Sequence, residues 1–347
     1  MDMNIIIPKL IINVGILFIM MVPGVILKKC NMISDGFGKS ISNLVLYIAQ
    51  PALIFFGYVS CDDRNILRDS LVVLLLSLVA HLLFSIIAIL AFMKAPDGKK
   101  RLLRLATIFS NAAFMGIPLV IAIYAGTPYV ARATIFASIY NITFNLFLWS
   151  LGVFICTNKR DDNNDGVLDH RVIEKKKSVS PLTAIYHPVT VAAVLGIVAL
   201  VFNFKENLSA LFGDGAIISD SLVMLKGLVA PLSMIIVGIR LADINFKNFF
   251  NDFYMYISLA LRHLVLPVAV IGAIVLLKWA GLPVTDEVFN VTVILAAAPS
   301  ASSATMFAEK FDCDAGYISR VVTTSTIISI VTMPLVLFIG SAVLSAI

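Results

Sequence analysis

The sequence predicts an all-α polytopic membrane protein whose ten transmembrane helices form two five-helix halves in an inverted repeat. Three observations predict it. The 347 residues are 60% hydrophobic and only 14% charged, with a mean hydropathy of +0.98, far outside the range of soluble globular chains. Charge-free apolar runs of about 20 residues, the length a bilayer requires, follow one another with little between them. Asn, Gly and Pro interrupt two of those runs, one in each half.

Apolar length marks spans at approximately 5–27, 37–60, 70–93, 102–124, 131–156, 188–204, 219–241, 252–278, 286–309 and 316–346. The first run has no basic segment ahead of it and is too long for a signal-peptide core, so residues 1–4 read as a short mature terminus. Basic residues on alternate loops test the count. One side carries 18, among them Lys28, Lys39, Lys99 and Arg240, the other carries 7, and Arg262 alone lies inside a span. Lys and Arg are retained in the cytoplasm, so the richer side is cytoplasmic and both termini face outward. The expected location is the inner or plasma membrane, and the net charge of +5 reflects topology rather than nucleic acid binding.

The only long hydrophilic stretch, 157–187, separates a first repeat (1–156) from a second (188–347). Asp161, Asn163, Asp165 and Gly166 imitate the start of a calcium loop, but Val172 stands where the bidentate Glu is required. A solvated cytoplasmic linker with a basic tail is the better reading. Cys30, Cys61, Cys156 and Cys313 lie at four separate segment ends without metal-ligand spacing, so neither a disulfide framework, a metal site nor a cofactor is expected.

The halves resemble each other. Pro51 faces Pro231, each followed by a glycine, Gly57 and Gly238. His81 matches His263, Pro118 matches Pro299, and Tyr129 with Arg132 matches Tyr317 with Arg320. Two halves with an odd number of spans are necessarily inserted upside down relative to each other.

The first interruption, 110–120, reads Ser-Asn-Ala-Ala-Phe-Met-Gly-Ile-Pro-Leu-Val. Asn111 is costly in lipid, Gly116 weakens the helix and Pro118 removes a backbone donor. The second, 296–305, holds Pro299, Ser300, Ser302 and Ser303. Non-helical backbone survives at membrane depth only where protein or a water-filled cavity covers it, and paired breaks point to a transporter's substrate site. Asn111 offers donors and an acceptor for a carboxylate, and half-helix N-termini favour an anion; the alternative is that Asn111 caps the helix. The serines either line the site or pack helices closely. Asn141 and Asn145, spaced i, i+4, share one face and either meet ligand or bond a neighbouring helix.

His81, Arg262 and His263 are the ionisable groups within the spans and the candidates for coupling. The histidines are either proton carriers or satisfied bundle residues. Arg262 either pairs an anionic substrate or bonds carbonyls of the protein. No Asp or Glu lies mid-helix, so a carboxylate-based sodium or proton site is not visible.

The pattern Asn-x-x-x-Met-Gly-Ile-Pro-Leu at 111–119, with Ala-Ala-x-Pro and Phe-Ala-x-x-Phe at 296–311, resembles the auxin efflux carrier family, nearest its bacterial malate or malonate permease-like members. The resemblance implies a scaffold of helices 1, 2, 6 and 7. It also implies a mobile transport domain of helices 3–5 and 8–10, in which broken helices 4 and 9 cross near the midplane. The chain lacks the long central loop of the plant carriers, so their substrate does not transfer to it. The expected function is a permease for a small organic anion such as a mono- or dicarboxylate, working by elevator-like alternating access. Alternatives are a sodium-coupled bile-acid-type symporter of similar fold, or an anion channel. No convergent nucleophile, base or metal set supports an enzyme, and 157–187 is too short for a sensor's output domain. The expected partners are the organic anion and the lipid bilayer, with a homodimer left open and no nucleic acid.

Overall fold

The structure, a computed structural model, describes residues 3–34, 36–61, 63, 65–157, 186–242, 252–310 and 313–346. Most of the expected linker with its calcium-like start, and Phe311 of the second motif, lie outside the described residues. The first half holds α1 (Met3–Lys29), α2 (Phe37–Val59), α3 (Ile66–Ala91), α4 (Asp97–Ile108), α5 (Ala112–Tyr124) and α6 (Val130–Cys156). The second holds α7 (Pro188–Val201), α8 (Ile217–Gly227), α9 (Val229–Ala242), α10 (Phe253–Trp279), α11 (Asp286–Ala297), α12 (Ser302–Lys310) and α13 (Ala315–Ala346). Among the described residues no strand is present, and a single isolated bridge joins Ser110 to Ser300.

Among the described residues, seven stretches are long and apolar enough to cross a membrane: α1, α2, α3, α6, Ser209–Ala242, α10 and α13. The segments expected at 102–124 and 286–309 are instead two short helices each, and α7 has 14 residues. Length alone therefore yields seven rather than ten.

The helices wear their apolar side chains outward. Ile19, Leu71, Leu276 and Val331 are exposed while Ser77, His81 and Ser85 of α3 are buried, the reverse of a soluble bundle and the pattern lipid demands. Inside, hydroxyls join helices: Ser77 Oγ to Thr143 Oγ1 at 2.7 Å, and Thr107 Oγ1 to Ser258 Oγ at 2.6 Å. α1 lies along α9, and α2 packs against α7 and α8. α3 packs on α6, α11 fits between α6 and α13, and α4 touches α10 and α13.

Ion pairs hold two helix starts, the first of which lies ahead of the expected span. α3 begins at Ile66, which brings the buried Asp69 into its first turn, where Arg132 at the start of α6 donates to it at 2.6 Å and also pairs with Asp63. At the opposite end, Asp252 caps α10 by accepting from the backbone of Tyr254 and takes an ion pair from Lys99 at 2.6 Å. Partial burial pushes the Asp252 carboxyl up, but the Lys99 hydrogen bond, aided by backbone Met255, outweighs it and holds the group below the ordinary carboxylate range. A depressed carboxyl stabilises above its unfolded value of about 3.9 and loses that contribution as pH falls through the folded value. Asp252→Ala is expected to cost about 1 kcal/mol at neutral pH through the lost cap and to flatten the acid limb of a melting-temperature series. An acid limb as steep as that of the wild type would refute this.

Candidate functional site

The chain leaves α4 at Ile108 and turns extended at Phe109, with φ −93° and ψ 115°. Likewise α11 ends at Ala297, and Ala298 is extended at φ −57° and ψ 147°. The two extended pieces pair with each other. Asn111 N–H donates to the Pro299 carbonyl at 2.6 Å, Ala301 N–H donates to the Phe109 carbonyl at 2.8 Å, and Ser300 N–H donates to Ser325 Oγ at 2.8 Å. Each break thus supplies partners for the other's backbone, as a non-helical segment among apolar helices must.

The C-terminal carbonyls of α4 and α11 meet Arg262 of α10. Its Nε donates to Ala298 O at 3.0 Å, one Nη to Thr107 O at 3.1 Å and to Ile108 O at 3.5 Å, and the other Nη to Ala296 O. The side chain is fully buried, with its guanidinium 4.8 Å from the Phe84 ring. The last carbonyls of a helix lack partners and carry partial negative charge, so one planar fork of donors answers two helix ends at once. Of the two expectations for Arg262, carbonyl bonding is the one the geometry displays, and those carbonyls belong to the broken helices themselves.

The break lies upstream of the residues expected to cause it. Gly116 and Pro118 sit in helical backbone, where Asn111 O accepts from Met115 and Gly116 N–H at 3.1 and 3.0 Å and Ile117 N–H reaches back to Ala112 O. Gly116 serves packing, since a Cβ there would lie 2.6 Å from Leu295 Cδ2. Pro299, by contrast, lies inside its break, so Pro118 and Pro299 do not occupy matching places; the bridge pairs Ser110 with Ser300 instead.

A cavity of about 740 Å³ opens from this junction. Ser110, Asn111, Asn141, Asn145 and Ser303 line its inner end, and Phe144, Trp149 and Phe307 its wall. Lys28, Lys39, His187 and Arg240 stand at the outer end, where α1 and α9 finish and α2 and α7 begin. Asn111, 2% exposed, makes no side-chain cap; its Nδ2 reaches Ser302 Oγ at 3.4 Å. Asn145 Nδ2 donates to the Asn141 carbonyl at 2.9 Å along its own helix. Asn141 Oδ1 and Ser303 Oγ are buried without a hydrogen-bond partner among the described residues.

Four expected residues, Asn111, Asn141, Asn145 and Ser303, therefore share the cavity. Gly116, Pro118, Pro299, Ser300 and Ser302 shape the junction but do not line it. His81 is fully buried among the rings of Phe84, Tyr140, Phe144 and Phe147, its Nδ1 donating to Ser77 O at 2.7 Å. His263 bonds Ser325 Oγ and Thr332 Oγ1, each at 2.9 Å. Neither histidine lines the cavity, and nor does Arg262. Sequence reasoning missed Ser110 and Asn43 as lining residues, although a polar residue inside an apolar run was the signal for both, and it read Lys28, Lys39 and Arg240 as topology alone.

Over residues 9–337 the chain matches the family described as membrane transport protein. It is similar to an uncharacterized transporter of Methanothermobacter thermautotrophicus, 26% identical over 314 residues that cover 90% of this chain and 92% of the relative. It is also similar to one of Methanocaldococcus jannaschii, 25% identical over 327 residues covering 92% and 95%. Buried polar side chains around a helix junction, an apolar exterior and a match along almost the whole length agree: the chain belongs to the membrane transport protein family, the auxin efflux carriers and their relatives.

Proposed function

We propose that this transporter is a permease for a small organic anion, with the junction of the two helix breaks as its binding floor. The observation that carries the reading is the cavity ending on Asn111, Asn141, Asn145 and Ser303 beside the start of α5 and α12. Two helix N-termini bring partial positive charge to that point, while the opposing C-termini are answered by Arg262, so the local field favours an anion. Amide and hydroxyl groups hold a carboxylate by hydrogen bonds without a fixed charge of their own, and an anion held that way can leave again. The basic residues at the outer end raise the local concentration of anions.

In this reading the chain crosses the inner or plasma membrane ten times as a 5 + 5 inverted repeat, with 1–156 and 188–347 as repeats and 157–187 as the cytoplasmic linker. α1, α2, α7, α8 and α9, which pack largely on one another, form the scaffold, and the remaining helices carry the junction past them. Lys28, Lys39 and Arg240 belong to the side rich in basic residues, so the cavity is open to the cytoplasm.

The test is flux of radiolabelled mono- and dicarboxylates in proteoliposomes. At least one acid is expected to be carried, and Asn111→Ala is expected to reduce its flux about tenfold or more by removing donors that no neighbour replaces. Absence of flux for every acid, or unchanged flux in the variant, would overturn the proposal. Flux that required sodium would favour the symporter, and unitary currents the channel.

A further inference from the structure

Pro118 leaves a carbonyl without its donor, and the replacement comes from another helix. After the break, hydrogen bonds run from residue i to i−5: Gly116 N–H to Asn111 O, then Ile117 N–H to Ala112 O. The next pair in that register is residue 118 to Ala113 O, and residue 118 is a proline with no N–H. Ala113 is 8% exposed at the edge of the cavity, and the donor that meets its carbonyl comes from the protein. Gln50 of α2, fully buried and 63 residues away in sequence, donates its Nε2 to Ala113 O at 2.9 Å.

We infer that Gln50 is a positioning residue for the site: it supplies from α2 the donor that Pro118 withholds, and so holds the wide turn that presents Asn111 to the cavity. Two features of the surroundings agree with this. A glutamine in an apolar span is expensive unless it has a partner, and this one spends its amide N–H on a backbone carbonyl rather than on a neighbouring side chain. Asn111 itself closes the turn, since its carbonyl accepts from both Met115 and Gly116, so slackening at Ala113 is transmitted to Asn111 within two residues. A second amide, Asn13 Nδ2 of α1, donates in the same manner to Ala122 O at 3.1 Å further along α5. The inference deepens the proposed site but does not require that the cargo be an anion.

The full-length purified protein tests it through a compensating pair. Gln50→Leu is expected to lower the melting temperature and to raise hydrogen exchange of the amides at 115–117 about tenfold or more. Pro118→Ala restores a backbone N–H for Ala113 O, so Gln50→Leu with Pro118→Ala is expected to regain most of both losses. Gln50→Glu adds a pH readout that simple packing would not move. Protonated, its carboxyl donates to Ala113 O as the amide does; ionised, it cannot, so the variant is expected to match wild type at about pH 5 and fall below it at about pH 8. Should Gln50→Leu fail to accumulate, recovery of expression by Pro118→Ala reads the same compensation. A double variant no better than the single one, or a Gln50→Glu protein indifferent to pH relative to wild type, would overturn the assignment. Compensation together with unaltered flux in Asn111→Ala would keep it and sink the proposed binding site instead.

Discussion

Arg262→Met is expected to abolish the folded junction, and with it expression of a monodisperse protein. The guanidinium is wholly enclosed and donates to carbonyls of Thr107, Ile108, Ala296 and Ala298. Methionine fills a similar volume but leaves those four acceptors facing an apolar space. Each buried orphan costs about 1–3 kcal/mol, so the sum is on the order of the 5–15 kcal/mol that holds typical proteins folded. The ring of Phe84 also loses its cation partner. Arg262→Lys retains charge but not the planar fork, and a single ammonium cannot reach both helix ends, so an intermediate loss is expected. The measurement is thermal unfolding of the purified variants, and a methionine variant melting with the wild type would sink the assignment.

Gly238→Val is expected to separate α1 from α9. The two helices approach so closely that a Cβ on Gly238 would overlap the Met21 carbonyl oxygen, and one on Gly24 would overlap the Ile235 carbonyl. Both obstacles are backbone, which cannot rotate aside as a side chain can. Small residues at helix crossings permit such contact in membranes, where van der Waals packing rather than water drives association. Overpacking of this kind costs about 1–3 kcal/mol and more when backbone resists, so a large drop in melting temperature is expected. Gly15→Ala on α1, the helix that packs along α9, meets nothing within 4 Å and is the neutral control. Equal melting of the Gly238→Val and Gly15→Ala proteins would refute the close-contact reading.

The lower-lying parts of the architecture were legible because lipid imposes a local rule. A bilayer accepts backbone only when its hydrogen bonds are internal, so apolar length marks helices such as α3 and α13, and polar or helix-breaking residues inside an apolar run mark places needing cover. That logic located both interruptions, and the i, i+4 spacing of Asn141 and Asn145 placed them on one face toward the cavity. It also identified Arg262 as the charge within a span.

Partnership was decided only by the fold. Pro118 announces a missing donor, but which carbonyl lacks it depends on the i to i−5 register of 112–116, and the donor that answers lies on α2. Arg262 could have met ligand or protein; its carbonyls come from helix ends about 155 and 35 residues away, brought together by the pairing of Ser110 with Ser300. The same pairing moved the break from Pro118 to Phe109–Asn111, because the strongest claim on that backbone was the other half's unpaired amides. Composition and spacing determined which groups would need partners in a membrane, since that need is a property of each residue in its segment. Tertiary structure determined who the partners are, since a hydrogen bond within 3 Å depends on distances between segments that no single segment encodes.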